Sequence, residues 1–417
     1  MEQSFYVENR RALYRKLTPG SLVLLFAGKA PRKTADEYYP FFAKRNFLYM
    51  TGVQQQGLVF AAVVGEGESA DETMYILPPD EHAERWMGAR IKADEVAARG
   101  GVMRCAYTEQ FMPQMKRLLD SFAITQICLD LDKLDLDEPD DEAYQFAKSM
   151  QSLYPAIPVK NIHRDIAAQR TIKKPCEIEA MRKAELITRD GILAMMKASK
   201  PGMYEYQYKA EFDYALAQHG VLSPAFPSII SAGKNNFCIH YYSYRGQAVD
   251  GDMILNDVGA CWDDENNDVS RGWPCNGKFN DRQRALYECA YQTSNHMFSI
   301  LKPGFRMADV DLTARKYNYE LLHDLGLVDS YENVGKLIWH GGAHHVGLDT
   351  HDVIAYDPDM PIQPGMVFCV DIGIYCEEWG IGFRLEDNCL ITETGCENLS
   401  ACTPRSIEDI EAAMGKR

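Results

Sequence analysis

The chain has 417 residues, 46% of them hydrophobic and 25% charged, and its formal net charge is −16. These values describe a soluble globular protein and argue against partners such as nucleic acid or an anionic membrane. A single core rarely serves more than about 300 residues, so we expect two domains. No apolar run approaches the roughly 20 residues that cross a bilayer.

The beginning of the chain and its cysteines predict a cytoplasmic protein. Met1 is followed by EQSFYVENRRALYRKL, an amphipathic charged helix without the apolar stretch of a signal peptide. The twelve cysteines lie singly, without C-x-x-C pairs. This pattern is typical of reduced thiols in a cytoplasm.

The first third of the sequence predicts an α/β domain. A helical pattern covers 80–100. The acidic stretch at 129–142 lacks the spacing of an EF-hand loop, so it predicts a solvated loop before a helix at 141–153. Short apolar runs bounded by breakers predict buried strands at 22–28, 47–53, 58–65, 73–79 and 124–131.

The second domain begins near a long helix that follows Pro175 and carries one apolar face. We place residues 1–162 in the N-terminal domain and residues 163–417 in the C-terminal domain. Residues 195–220 resemble residues 296–326, because each segment has a helix end, a Lys-Pro-Gly stop and a second helix. This repeat predicts two similar α/β halves with a cleft between them, where sites commonly lie.

Four of the ten histidines lie within HGGAHHVGLDTHD, at 340–352. Protonated imidazoles repel one another, so such a cluster needs a physical reason. Metal binding, acid–base catalysis and an exposed polar loop are all compatible with this stretch alone.

Three apolar, strand-like segments are each interrupted by one carboxylate. Asp257 lies in MILNDVGA, Asp371 in GMVFCVDIGIYC, and Glu386 precedes NCLITET. Asp268 follows a polar turn and can meet Asp257 across a hairpin. An arginine or backbone donors could stabilise any one of these charges, which are costly to bury unpaired. Together with the histidines they favour Mn²⁺, Zn²⁺, Co²⁺ or Fe²⁺, and bridging carboxylates favour two ions.

These segments resemble the motifs of the aminopeptidase P and prolidase family of metallopeptidases, which has the pita-bread fold. NDVG resembles the D-A-G strand of that family, and DVSRGWP resembles the second aspartate segment, eleven residues later. HHVGLDTHD resembles the H-x-x-G-L-D-x-H-D motif, and RLED resembles R-x-E-D. The resemblance covers almost the whole chain. It implies metal ligands at Asp257, Asp268, His344, Asp371 and Glu386.

The resemblance also implies which side chains contact the substrate. His240 and His351 would bind it and stabilise the tetrahedral intermediate. His340 would line the pocket for the residue after the scissile bond. Arg384 would support the site electrostatically, whereas His345 has no role in the family and is expected to be a packed or exposed neighbour.

Residues 24–53 resemble the N-terminal domain of aminopeptidase P more than that of prolidase. Asp36 corresponds to a residue that reaches an active site, in one interpretation across subunits, and a loop or helix-capping role is the alternative. The family is commonly dimeric or tetrameric, so we expect a homodimer or homotetramer.

The sequence departs from the family pattern at the fourth metal ligand. Where the family has Glu-Pro-Gly, this chain has Asp371, Ile372 and Gly373. Aspartate is one methylene shorter than glutamate, and general-base catalysis depends closely on geometry. The other four ligands are unchanged, unlike those of creatinase.

The resemblance implies a manganese-dependent Xaa-Pro aminopeptidase that removes the first residue from peptides with proline in second position. Two alternatives stay open: an Xaa-Pro dipeptidase of the prolidase kind, and a weakly active or non-catalytic member that binds peptides. Catalytic roles would fall to His240, His340, His351, Asp371, Arg384 and Glu386.

Overall fold

The computed structural model describes residues 1–353, 357 and 359–415. Contacts between Cα atoms divide the chain into two compact units, Met1–Gln169 and Arg170–Arg417. The sequence places the domain boundary between residues 162 and 163, and that position stays a prediction.

The first unit is built around one mixed sheet. In chain order, the elements up to its end are α1 (Gln3–Tyr14), β1 (Ser21–Phe26), β2 (Arg32–Thr34), β3 (Glu37–Tyr38), α2 (Arg45–Thr51), β4 (Val59–Val64), β5 (Ala70–Ile76), α3 (Glu81–Met87), α4 (Ala93–Gly100), β6 (Cys105–Tyr107), α5 (Phe111–Asp120), β7 (Gln126–Leu129), α6 (Glu142–Leu153), β8 (Val159–Asn161) and α7 (His163–Thr171). The six-stranded sheet has the order β6-β5-β4-β1-β7-β8, with the β1–β4 and β4–β5 pairs antiparallel.

Four of the five predicted strands are confirmed as β1, β4, β5 and β7, but the fifth prediction is wrong. Residues 47–51 of this run belong to helix α2, whose C-cap residue Gly52 is in the left-handed region, at φ 67°. A short, continuously apolar run has no period that separates a buried helix from a buried strand. The helical pattern at 80–100 is also broken into α3 and α4 at Gly88, where φ is 91°.

The second unit repeats one arrangement twice. Its elements are α8 (Pro175–Ala198), α9 (Glu205–Gln218), β9 (Ile229–Ala232), β10 (Met253–Val258), β11 (Cys261–Trp262), β12 (Glu265–Asn266), β13 (Val269–Pro274), α10 (Asp281–Ile300), α11 (Met307–Asp324), β14 (Val367–Cys376), β15 (Ile381–Ile391), β16 (Cys396–Asn398) and α12 (Ile407–Gly415). Helices α8 and α9 precede the sheet β13-β10-β9, and helices α10 and α11 precede the sheet β14-β15-β16. Strand β15 lies against β10 and β13, so the two sheets meet.

Both halves use the same signals to end one helix and begin the next. Each Lys-Pro-Gly stop places its glycine, Gly202 or Gly304, in the left-handed region, at φ 84° and 95°. Helix α8 begins at Pro175, and the Glu177 side chain accepts a hydrogen bond from the Lys174 N–H at 2.8 Å. These local signals are the reason that the long helix and the repeat could be predicted.

A buried carboxyl group ties α8 to the segment after β16. Glu185 is 1% exposed, and the Ser400 hydroxyl donates to its Oε1 at 3.0 Å. Burial raises the pKa of Glu185 to about 8. The group is therefore held mostly neutral in the folded protein at neutral pH.

We expect Glu185→Gln to stabilise the protein in alkaline solution. The unfolded-state pKa of glutamate is about 4.3, so between that value and the folded pKa the folded state binds the extra proton. The free energy of unfolding therefore falls as pH rises through this window, by up to about 1.4 kcal/mol per pH unit. Glutamine does not ionise, so the advantage of the variant should grow from acidic to alkaline pH. Thermal midpoints of both chelator-treated proteins across this window test the prediction, and parallel curves would contradict it.

Candidate metal centre

Strand pairing brings Asp371 and Glu386 together. The two residues are Cα partners in the antiparallel pair β14–β15, so their side chains project from the same face. The alternate residues Ile372 and Ile374 pack in the main hydrophobic core. Asp371 therefore interrupts an apolar strand on the face opposite the main core.

A second hairpin supplies Asp257 and Asp268. Asp257 lies in β10 opposite Ser270 of β13, and Asp268 comes directly before β13. The Asp257 carboxyl group is near enough for its charge to act on Asp268. Burial, with the charges of Glu386 and Asp257 added, raises the pKa of Asp268 well above its usual range. The hairpin thus joins two carboxyl groups that repel each other when both are ionised.

His344 completes this group from the loop before β14. Its Nε2 lies 3.3 Å from Glu386 Oε1 and 3.8 Å from Asp268 Oδ2. The His344 carbonyl accepts a hydrogen bond from the Cys369 N–H at 2.8 Å, which fixes the loop beside the strand. The imidazole is therefore held against carboxylates from both hairpins.

The remaining histidines of the cluster take different places. The rings of His351 and His344 have centroids 4.3 Å apart. Burial lowers the pKa of His351, and the nearby His344 and His240 lower it further. His345 is 6% exposed, packs edge-on against Phe368, and has its pKa lowered by burial to about 4. Of the two roles expected for His345, the structure shows the packed neighbour.

His340 faces Asp371 rather than His344. Its Nδ1 lies 3.1 Å from Asp371 Oδ2, and its Nε2 lies 3.0 Å from the Tyr375 hydroxyl. Burial lowers the pKa of His340, but the Asp371 carboxylate outweighs burial and the resulting pKa is about 9. A Cβ added at Gly373 would lie 2.3 Å from His340 Nε2, so only glycine leaves room for the ring.

Arg384 is the buried counter-charge of the carboxylate group. Its guanidinium donates to Asp257 Oδ2 at 2.7 Å and to the Tyr375 hydroxyl at 3.0 Å. It also approaches the Ser270 hydroxyl, which donates to Glu386 Oε2 at 2.9 Å. One cation thus supports both hairpins at once.

A buried ion cluster that sequence reasoning missed anchors the histidine loop. Asp352 binds Arg170, and its Oδ2 lies 2.7 Å from Lys173 Nζ. The Asp352 N–H also donates to the carbonyl of His345 at 2.9 Å. Asp352 lies about 180 residues after Arg170 and Lys173 in the sequence, and no motif or period connects the two segments.

Cys369 and Tyr375 are the other residues at the site that sequence reasoning missed. Both are buried, and both share the strand face of Asp371, because they lie two and four residues from it. Burial and the adjacent Glu386 raise the pKa of the Cys369 thiol well above its usual range. The alternation along GMVFCVDIGIYC is the signal that could have identified them.

The donor atoms fit divalent cations. Within the described part of the chain, Oδ1 of Asp257, of Asp268 and of Asp371 is buried without a hydrogen-bond partner. Buried carboxylates in such numbers are costly unless cations compensate them. Carboxylate oxygens with one imidazole form the ligand set that Mn²⁺, Zn²⁺, Co²⁺ and Fe²⁺ accept.

Asp36 and His240 lie outside this buried group. Asp36 occupies the exposed turn between β2 and β3 of the first unit. His240 is exposed, follows the 3₁₀ turn at Gly233–Phe237, and its ring lies beside that of Tyr242 with centroids 6.3 Å apart. The roles expected for Asp36 and His240 stay predictions.

Among the residues that the structure describes, no helix is both long and apolar enough to cross a membrane. The long helices α8 and α10 carry charged residues on their exposed faces. Their apolar faces pack in the core of the second unit.

Comparison with known proteins gives consistent matches over the whole chain. The model of Metallopeptidase family M24 matches residues 179–393, and the model of Aminopeptidase P, N-terminal domain, matches residues 6–125. The Xaa-Pro aminopeptidase of Escherichia coli (strain K12) is 29% identical, with 98% of this chain and 97% of that protein covered.

Two solved structures have the same fold over the full length. One is described as a candidate aminopeptidase P from Bacillus anthracis, with a TM-score of 0.97, 34% identity and coverage of 100% and 99%. The other is the Zn-substituted E. coli aminopeptidase P in complex with product, with a TM-score of 0.91, 27% identity and coverage of 100% and 98%. The second unit therefore has the pita-bread fold.

Fold, site and relatives together define a metallo-aminopeptidase, a hydrolase that acts on peptides with the help of divalent metal ions. The chain belongs to metallopeptidase family M24, and its first unit is an aminopeptidase P N-terminal domain.

Proposed function

We propose that this enzyme is an Xaa-Pro aminopeptidase, which releases the first residue from peptides with proline at position two. The observation that carries the proposal is a carboxylate cluster in the second unit: His344 lies beside Asp268 and Glu386. In the same cluster, Oδ1 of Asp257, of Asp268 and of Asp371 is buried without a hydrogen-bond partner. The names of relatives that match along nearly their whole length support the proline preference.

The metal centre would hold two divalent ions between the two hairpins. Asp257, Asp268, His344, Asp371 and Glu386 would be the ligands. The resemblance favours Mn²⁺, while Zn²⁺, Co²⁺ and Fe²⁺ suit the same donors. The chemistry that such ions supply when bound is to lower the pKa of a water and to polarise the scissile carbonyl.

The side chains around the centre would transfer the proton, stabilise the oxyanion and position the ligands. Asp371 would accept the proton of the attacking water and pass it to the leaving nitrogen, with Glu386 as the alternative acceptor. The lowered pKa of His351 suits a neutral hydrogen-bond partner of the developing oxyanion, and His240 would be the second hydrogen-bond partner. Arg384 would hold Asp257 in place.

Proline at the second position sets a particular recognition problem. The Xaa-Pro bond has no N–H, so the enzyme cannot use that hydrogen to orient the substrate. A pocket shaped for the pyrrolidine ring would supply specificity instead. His340, fixed between Asp371 and Tyr375, would line this pocket.

A length series of substrates tests the proposed activity. We expect the purified enzyme with added Mn²⁺ to cleave Xaa-Pro-Yaa peptides and to lose this activity with a chelator. Cleavage of Xaa-Pro alone would contradict the aminopeptidase and favour a prolidase-type dipeptidase. Metal binding without cleavage of either substrate would favour a peptide-binding member of the family.

We expect Gly373→Ala to lower kcat/KM about 10- to 100-fold, because the new methyl group displaces the His340 ring by a fraction of an ångström or more. Metal content should not change, since His340 is not a proposed ligand. Gly395→Ala is the control, because a Cβ there meets nothing within 4 Å. Kinetics on an Xaa-Pro-Yaa peptide and elemental analysis test both variants. Unchanged kinetics in Gly373→Ala would show that activity does not depend on the position of the His340 ring.

The cellular setting completes the proposal. We propose a cytoplasmic enzyme, on the basis of its scattered single cysteines. We also propose a homodimer or homotetramer in which Asp36 contributes to an active site. Size-exclusion chromatography with light scattering, and the kinetics of Asp36→Ala, test these two points.

A further inference from the structure

Cys369 lies inside the candidate metal centre, on the strand face that carries Asp371. Its side chain is fully buried. One ligand atom from each of Cys369, Asp268, His344 and Glu386 lies within 4.8 Å of every other. Asp371 is not a member of this group, and its Oδ2 contacts His340 instead.

This spacing is close to what a four-coordinate ion requires. Zinc binds sulfur at about 2.3 Å and nitrogen or oxygen at about 2.0–2.2 Å, so its tetrahedral ligands lie about 3.5 Å apart. Small side-chain rotations would bring the four ligand atoms to bonding distance from one ion. The side chain of Asp268 is 5% exposed, and its buried, unpartnered Oδ1 independently indicates a missing ligand.

We propose that Cys369 Sγ is a metal ligand, together with Asp268, His344 and Glu386, at one of the two metal positions. On binding, the sulfur–metal bond forms as the S–H bond breaks, and the proton leaves to solvent. Thiolate ligands favour thiophilic ions, so this position would prefer Zn²⁺, Co²⁺ or Cd²⁺ to Mn²⁺. The inference rests on the metal centre of the proposed function and changes the expected metal at one position.

Cobalt spectroscopy on the chelator-treated, full-length protein tests the proposal. Visible ligand-field bands report that Co²⁺ binds at all, and a near-ultraviolet sulfur-to-cobalt charge-transfer band reports a thiolate ligand. We expect both bands in the native protein. Cys369→Ser should keep the ligand-field bands, lose the charge-transfer band and bind Cd²⁺ at least about tenfold more weakly. Its affinity for Mn²⁺ should change by no more than about twofold, because Mn²⁺ prefers oxygen ligands.

Cys376→Ser is the matched control. Cys376 is a buried thiol of the same strand, but its odd spacing from Cys369 places it on the core face. This variant should keep the charge-transfer band. If it loses the band while Cys369→Ser keeps it, the proposal is wrong.

Two outcomes separate this inference from the proposed function. Ligand-field bands without a charge-transfer band in the native protein would overturn the role of Cys369 and leave the metallopeptidase proposal intact. No bound Co²⁺ would overturn both. If Cys369→Ser does not fold, X-ray absorption of the Zn²⁺-loaded native protein decides the question. A sulfur neighbour at about 2.3 Å supports the ligand, and a shell of nitrogen and oxygen alone excludes it.

Discussion

We expect the His344→Ala variant to lose bound metal and to retain about one thousandth of the native kcat/KM or less. The His344 imidazole is the nitrogen donor that contacts carboxylates of both hairpins. A catalytic metal supplies several kcal/mol of transition-state stabilisation, and each factor of ten corresponds to about 1.4 kcal/mol. Elemental analysis and kinetics on an Xaa-Pro-Yaa peptide measure the two losses.

The adjacent histidine provides the control for this experiment. His345 is buried against Phe368, and its pKa of about 4 keeps it neutral. His345→Ala should therefore lower the free energy of unfolding by about 0.5–3 kcal/mol but keep the metal. If His344→Ala retained metal and His345→Ala lost it, the proposed assignment of the two histidines would be reversed.

Asp371→Asn is expected to lower kcat by about 10²- to 10⁴-fold, the usual contribution of a general base. Asparagine has nearly the same shape, but it cannot accept the proton and does not carry the charge that faces His340. Saturating substrate isolates kcat, and metal analysis shows whether a ligand was lost as well. Activity within about threefold of the native enzyme would transfer the proton-accepting role to Glu386.

Asp371→Glu restores the glutamate that the family has at this position. We expect it to lower kcat about tenfold, because the extra methylene moves the carboxylate against His340, whose Nδ1 is already 3.1 Å away. A sharp increase in activity would instead identify the native chain as a weakly active member of the family.

The sequence was most informative where a buried charge broke an apolar pattern. Asp257 and Asp371 stand out within apolar strands, and the turn after Asp257 predicts the hairpin that brings Asp268 to it. The sheet register then places Asp371 opposite Glu386. Such charges are visible in sequence because burying them needs a compensating partner.

The roles of residues that do not interrupt a sequence pattern could not be predicted. Cys369 appears in sequence as an ordinary apolar residue, although it lies among the proposed ligands. Asp352 anchors the histidine loop through its ion pair with Lys173, and no local sequence signal connects these two residues. Helix α2 was missed because a short, mostly apolar run is compatible with a helix and with a strand.

The β14–β15 hairpin determines where insertions in the sequence are tolerated. Side chains alternate between faces, so inserting one residue between Asp371 and the turn would rotate this carboxylate from the site into the core. The exposed turn that joins the strands, Glu377–Trp379 with Gly380 after it, allows insertions that leave the register unchanged. We therefore expect length variation among relatives to concentrate in this turn, while the distance in sequence from Asp371 to Cys376 stays constant.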